Sequence, residues 1–383
     1  MIFTGAVIAD IHFGALPAKE LYYELKESFL GFIRDKYLDM IVIAGDYFHS
    51  ITALNSSTTY NGIRFMAELV DLCKQNGIRY IRIIEGTLSH DNGQIDVFST
   101  YESEQDIDYR VILGSRAEIL DNGIKILYIP EEYMKDPIQF YKGVLEKPKK
   151  YYDFIFGHGM FKEVAFVKDD GETSISKAPV FDSKLLCSLC KGPIFFGHIH
   201  ISQSIRSNIY YPGSFSRWSY GEEQDKGFYI FAYDSDTSRY ATEFIVNKLA
   251  KRYDTLKVYL DKYDKPMESL IAFAKEFKVD NLRIQLIVES GEKDYSYDIS
   301  FLKEYYTGKK GYKLDILDKR EKLRQEQTEQ KVQKILTDYN FLFDNDIPVE
   351  TKIHRFIKRK YSRDVSEEMI RDLLNLNVSK TKG

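Results

Sequence analysis

The chain has 383 residues, 44% of them hydrophobic and 29% charged, with a net charge of −4. So much apolar side chain supplies a sizeable core and speaks against wholesale disorder. The slight acidic excess excludes a protein coated in basic charge, so any nucleic-acid contact is expected to be local or shared with a partner. Apolar runs stay short of a membrane-spanning length, and Met1–Gly5 leads straight into a strand where a leader peptide would need a basic and then an apolar stretch. Three cysteines, Cys73, Cys187 and Cys190, fit a reducing compartment, and a cytoplasmic protein without membrane contact is expected. Cys187 and Cys190 form a lone C-x-x-C within an apolar run, which reads as buried structural thiols.

The first two-thirds alternates strand and helix. Val7-Ile8-Ala9 ends a strand, and Leu21, Leu25, Phe29 and Phe32-Ile33 recur at helical spacing over residues 18–37. Met40–Ala44 is a second strand, a helix follows over roughly 57–76 with Gly77 as its stop, and Tyr80–Ile84 is a third strand. Further strands are expected at Ile124–Ile129, Phe154–Phe156, Ile194–Phe196 and Gly227–Tyr233. The pattern predicts an α/β layered sheet covered on both faces. A second unit starts near residue 251, with strands at Thr255–Leu260, Leu282–Val288 and Tyr312–Leu317 and helices at Met267–Phe277 and about 297–306. A charged helical stretch over 318–337 and two short amphipathic helices over 349–376 complete the chain.

Six of the seven histidines sit at or just beyond the ends of apolar strands. The segments read Asp10-Ile11-His12, Gly45-Asp46-Tyr47-Phe48-His49, Gly86-Thr87-Leu88-Ser89-His90-Asp91, Gly157-His158-Gly159 and Gly197-His198-Ile199-His200. Carboxyl ends of strands in an α/β sheet form the rim where ligands bind, so these segments bring carboxylates and imidazoles to one rim. Imidazole with carboxylate suits Mn²⁺, Fe²⁺ or Zn²⁺. Asp10 and His12 can reach a metal from one extended turn, as can His198 and His200, and Asp46 can bridge two cations. One such histidine alone is usually only a satisfied polar residue; the whole set in this order marks a metal site.

The order D-x-H, G-D-x-x-H, G-(N)-H-D, G-H and G-H-x-H resembles the calcineurin-like metallophosphoesterase superfamily. His49, three residues after Asp46, points within it to the SbcD-type DNA nucleases. So does the block Tyr211-Pro212-Gly213-Ser214-Phe215-Ser216-Arg217, continuing through Gly221-Glu222-Glu223 to Lys226-Gly227-Phe228. The resemblance covers residues 1 to about 245, and beyond that rests on domain order. It implies a layered metallophosphoesterase sheet sandwich over residues 1–250, a smaller α+β DNA-capping domain over 251–317, and a charged linker with a helix-loop-helix over 318–383. It further implies a Mn²⁺-dependent DNA exonuclease and endonuclease with two ions per subunit. One ion would take Asp10, His12, Asp46 and His200. The other would take Asp46, His158, His198 and one more ligand, while His49 and His90 orient and protonate at the scissile phosphate. DNA, an SbcC-like SMC-type ATPase and a second copy of the chain, paired through the nuclease domain, are the implied partners in DNA repair and recombination.

One departure stands out. The family's third motif is Gly-Asn-His-Asp, with Asn a metal ligand; here two residues are inserted and Ser89 precedes His90. Ser89 is taken as the replacement ligand, with Thr87, Asn92 or a weaker second site left open. Two other readings are a phosphatase or nucleotide phosphodiesterase of the same superfamily, and a non-catalytic scaffold. Retention of every motif histidine argues against the scaffold, and the added βαβαβ unit favours a macromolecular substrate. In the tail, Ile353, Phe356, Ile357 and Tyr361 make one apolar stripe, Asp364 with Glu367 reads as a capping box, and the following helix carries Met369-Ile370, Leu373-Leu374 and Leu376. Residues 349–363 hold six Lys/Arg against one Glu. These helices are expected to bind the ATPase, with DNA phosphates as the competing partner.

Overall fold

Each central strand buries both faces, and a computed structural model shows what covers each. The structure describes residues 1–132, 149–164, 179–262, 280–291, 293–306, 311–320, 325, 330, 332–334 and 336–380. The helix expected at Met267–Phe277 and half of the charged stretch 318–337 lie outside them.

Two six-stranded mixed sheets form the larger part. The first runs Arg239–Val246, Gly227–Asp234, Ile2–Ile8, Met40–Ala44, Tyr80–Ile84 and Asp108–Ile112, its last four strands parallel. The second runs Gln203–Arg206, Ile209–Tyr211, Ile194–Gly197, Phe154–His158, Lys125–Ile129 and Arg116–Ile119, parallel through its four middle strands. Alternation along each strand sorts the side chains. Val7, Val42, Ala44 and Ile84 from the first sheet pack with Ile126, Tyr128, Phe154 and Phe195 from the second, so the sheets lie face to face. The outward face of the first, with Ile8, Ile41, Ile43 and Ile81, is covered by helical residues such as Leu25, Phe29, Phe65 and Leu69. The outward face of the second, with Ile155, Ile194 and Phe196, packs on Leu186 and Leu189 of the helix Ser183–Leu189.

The helix Ser57–Asn76 begins where Ser56 Oγ accepts from Thr59 N–H and ends at Gly77 with φ 69°, a left-handed stop that suits glycine. The helix expected over 18–37 is shorter and irregular. It starts at Ala18, passes through a π turn at Leu25–Leu30, and ends at Ile33. A π turn places residues five apart on one face, and Leu25 and Leu30 are accordingly both buried. Three edge strands, Asp108–Ile112, Arg116–Ile119 and Arg239–Val246, interleave charged and apolar residues and so do not show as apolar runs. Cys73 and Cys190 are buried free thiols held above their usual range by burial, whereas Cys187, expected to be buried with Cys190, is a half-buried free thiol.

The chain divides into two compact units, one built on Met1–Leu256 and the other including Lys257 and Leu314–Gly383. Tyr253–Tyr259, Asn281–Val288 and Tyr312–Asp318 form a three-stranded sheet in that order. At the C-terminus, helices Val349–Tyr361 and Glu367–Lys380 follow. Ser366, rather than the expected Asp364, caps the second: its Oγ accepts from Met369 N–H, while Asp364 pairs with Lys358. No described helix is long and apolar enough to cross a membrane.

Glu24 is a carboxyl buried under this core with Asn247 Nδ2 donating to it at 3.0 Å. Burial pushes its pKa from 4.5 up to about 7, against the hydrogen bond that favours the anion. The folded state therefore holds the proton more tightly than the unfolded chain. Stability is undiminished below pH 4.5, falls as pH rises towards 7, and is then level. Glu24→Gln keeps an acceptor and removes the ionisation. It is expected to raise the denaturation midpoint at pH 8 by the equivalent of about 3 kcal/mol and to leave it unchanged at pH 4. Equal midpoints for the two proteins at pH 8 would show that Glu24 ionises in the fold without cost.

Candidate metal centre

Six strand ends, three from each sheet, deliver polar side chains to one place. Asp10 and His12 follow Ile2–Ile8, Asp46 and His49 follow Met40–Ala44, and Thr87 and His90 follow Tyr80–Ile84. From the second sheet, Glu131 follows Lys125–Ile129, His158 ends its strand, and His198 and His200 follow Ile194–Gly197. Three groups of donors gather within metal-binding reach: Asp10, His12, Asp46 and His200; Asp46, His158 and His198; and His12, His49 and His90. Asp46 belongs to the first two. His12 Nε2 lies 3.1 Å from His200 Nε2 and 3.6 Å from Asp46 Oδ2, and His158 Nε2 lies 3.3 Å from Asp46 Oδ1.

The backbone is bent to make this possible. Asp10, His12, Asp46 and His198 all have positive φ, at 48°, 54°, 49° and 95°. L-residues rarely adopt that conformation, and such strain concentrates where function needs it. Gly45 has φ 84°, and a Cβ there would sit 2.0 Å from His158 Nδ1; a Cβ on Gly86 would sit 2.2 Å from Asp46 Oδ1. Both glycines therefore let the turns close around the donors. Asp91 ties two of the turns together, accepting from the backbone N–H of Gly86 at 2.9 Å and of Phe48 at 3.2 Å. The block Tyr211–Phe228 lies beneath. Buried Lys226 donates to His200 O at 3.0 Å and Ser214 Oγ at 2.7 Å, and Ser214 pairs with Ala9 beside Asp10.

Burial governs the charges. It pushes Asp10 up to about 7 despite the pull of His158, whereas Asp46 is held well below the usual range because His158, His12 and His90 outweigh burial. His158 is raised well above 6.5 by Asp46, Asp10 and Glu131 in spite of burial, and His12 is pushed well down by burial and its imidazole neighbours. Asp10 Oδ1 accepts from His198 N–H at 2.8 Å, but Oδ2 is buried with no hydrogen-bond partner among the described residues. An orphaned oxygen on a carboxylate gathered with His12 and His200 fits a divalent cation.

His90 and His49 stand beside the donors with their rings stacked at 5.6 Å. His90 Nδ1 hydrogen-bonds to the carbonyl of His49, which turns Nε2 towards Asp46 Oδ2 at 4.0 Å. Ser89 does not face the cluster. It is exposed on the turn, as is Asn92, and it is Thr87 whose hydroxyl points inward, 3.3 Å from Asp46 Oδ2. The turn explains this, because His90 N–H and Asp91 N–H both donate to Thr87 O at 2.9 Å and coil the next two residues outward. Two further residues join without having been expected from the sequence. Glu131 is buried, with its carboxylate 2.9 Å from His198 Nδ1. Trp218, the only tryptophan of the chain, packs its ring on His12 at 4.7 Å and His200 at 5.0 Å.

No family model and no curated protein matches the chain. Among solved structures it is similar to a hypothetical protein from Thermus thermophilus, at 12% identity over 63% of this chain and 97% of that one, with a TM-score of 0.34. It is also similar to glutamine-dependent NAD⁺ synthetase from Acinetobacter baumannii in complex with ADP, at 9% identity over 92% of this chain and 70% of that one, with a TM-score of 0.31. Overlaps this loose carry no inference about fold or function. The centre is a set of buried Asp and His groups that could hold metal ions.

Ion binding should be visible from inside. Titrating metal-stripped protein with Mn²⁺ is expected to change Trp218 emission and raise the thermal midpoint, since a ligand a hundredfold above its Kd stabilises by about 3 kcal/mol per site. Stripped protein that shows neither response would rule out a metal centre.

Proposed function

We propose that this chain is a divalent-metal phosphodiesterase of the calcineurin-like kind, an SbcD-type nuclease that cuts DNA with Mn²⁺ and works with an SbcC-like SMC-type ATPase. The observation that carries the reading is the pair of donor clusters joined at Asp46, with His90 at their edge. Two mixed sheets face to face, with helices outside, are the scaffold that reading requires. Two bound cations would supply Lewis-acid stabilisation of a phosphate and acidify a water. The protein's own groups do the rest. Asp46 holds both donor clusters in one frame. His49 fixes the imidazole of His90 through its carbonyl, so a proton is held or passed at His90 Nε2, next to where the scissile phosphate would sit. His12, braced between His49, His200 and Trp218, keeps the two histidine groups in register.

The C-terminal helices support the partner assignment. Ile370 is buried and Phe356 packs on Tyr339, yet Val349, Tyr361, Met369 and Leu373 remain more than half exposed. Apolar side chains left exposed on a charged helix pair suit a coiled-coil partner better than phosphate contacts alone.

DNA hydrolysis is expected with Mn²⁺ and to be poor with Mg²⁺, which prefers oxygen ligands; equal rates with Mg²⁺ would count against the assignment. Cleavage of a bis-aryl phosphodiester without cleavage of DNA would favour a nucleotide phosphodiesterase. His90→Asn should lower cutting by about 10² or more while Mn²⁺ still binds, and an emptied site would make His90 a ligand. Truncation near residue 340 is expected to leave Mn²⁺-dependent cutting intact and to abolish co-purification with the ATPase. A truncated protein that keeps the ATPase but loses salt-sensitive DNA binding would make the tail a DNA clamp.

A further inference from the structure

The second donor cluster is one ligand short when counted by sequence motif: Asp46, His158 and His198 come from the motifs, and the third motif lacks its amide. Glu131 lies where a fourth donor would be needed. Its Oε2 is 2.9 Å from His198 Nδ1, 3.5 Å from His158 Nε2 and 3.2 Å from Thr87 Oγ1. Thr87 Oγ1 is in turn 3.3 Å from Asp46 Oδ2 and 3.5 Å from both His158 Nε2 and His198 Nδ1. Donors on a single coordination sphere with bonds of about 2.1 Å stand roughly 3.0–3.4 Å apart, depending on geometry. The spacings around Glu131 and Thr87 are of that size.

Which nitrogen Glu131 faces separates a ligand from a brace. An outer partner that orients a ligating histidine binds its rear nitrogen. His158 has such a partner: Nδ1 is hydrogen-bonded to Ala44 O at 2.9 Å, leaving Nε2 as the atom directed at Asp46. Glu131 approaches His158 on that same forward nitrogen. It approaches His198 on Nδ1, the nitrogen that also faces the Thr87 hydroxyl. The carboxylate thus stands on the inner side of both rings, buried to 2% exposure, where no solvent compensates its charge.

We propose that Glu131 is a ligand of the second metal position, a carboxylate in place of the missing amide, with the Thr87 hydroxyl beside it. The proposal rests on the metal-centre reading above. Each position then has two carboxylates and two imidazoles: Asp10, Asp46, His12 and His200 at one, and Asp46, Glu131, His158 and His198 at the other. The second position is not the weak site that loss of the amide alone would suggest, because an anionic ligand replaces a neutral one.

Mn²⁺ binding to the full chain, measured by calorimetry and elemental analysis without any substrate, tests this. The native protein should take up two ions, and Glu131→Ala one at concentrations that saturate the native protein. Glu131→Gln should take up two, with the second at least tenfold weaker, and Thr87→Val should keep two. Anomalous diffraction from Mn²⁺-loaded native crystals should place a Glu131 oxygen within bonding distance of the second ion. That measurement stands even if Glu131→Ala fails to fold. Two ions of unchanged affinity in Glu131→Ala, or a carboxylate that stays on His198 away from the ion, would overturn the assignment while leaving the metal centre standing. A native protein that binds no Mn²⁺ would overturn both.

Discussion

Everything at the strand-end rim follows from carboxylates buried where water cannot reach them. Asp10, Asp46, Asp91 and Glu131 are all removed from solvent, and imidazoles, backbone N–H groups and the Thr87 hydroxyl stand against them. Isolated burial of even one carboxylate is expensive enough that the group neutralises or finds a partner. Asp91 is answered by backbone N–H groups, Asp46 by three histidines, and Glu131 by His198. Burial drives both Asp10 and Asp91 up towards neutrality, but Asp10 is the exception in that one of its oxygens has no partner among the described residues. A cation placed between Asp10 and Asp46 would remove that deficit, whereas protons meet it only by competing with the histidines.

That arrangement asks much of the scaffold. Four of the polar residues sit at positive φ, and the turns that carry them are fixed from several directions. Parallel strands in both sheets point their carboxyl ends the same way, and His158 from the second sheet hydrogen-bonds to Ala44 O of the first, closing the rim. Below it, Lys226 and Ser214 hold the His200 turn through buried hydrogen bonds. The apolar layers therefore do more than stabilise; they set the spacing of the donors to within a coordination sphere.

Much of this could be read from the chain. Asp10, His12, Asp46, His158, His198 and His200 are adjacent in sequence to runs that are visibly buried strands, so their convergence follows from the direction of those strands. Glu131 was hidden because Pro130-Glu131-Glu132 looks like an exposed acidic turn, and nothing local says which glutamate turns inward. Its one signal was position, at the end of the buried strand Lys125–Ile129. Spacing counted from His90 puts Ser89 ahead of Thr87, which the sequence leaves open, whereas the side-chain direction is set by the hydrogen-bonded turn that begins at Thr87 O. Trp218 gave no periodic signal at all, since it sits in an irregular segment whose packing depends on three distant histidines. Edge strands escape notice for a different reason: charged residues interrupt their apolar runs, as at Arg116, which is exposed, and Glu118, which turns in to pair with buried Arg82.

The central claim is that Asp46 joins two metal positions into one centre. Electron paramagnetic resonance of the protein loaded with Mn²⁺ tests it most directly, because a shared carboxylate couples the spins of the ions it bridges. The account predicts the multiline signal of an exchange-coupled Mn²⁺ pair, collapsing to the six-line signal of isolated ions in Asp46→Ala. A native protein that gives only isolated-ion signals at full loading would contradict it.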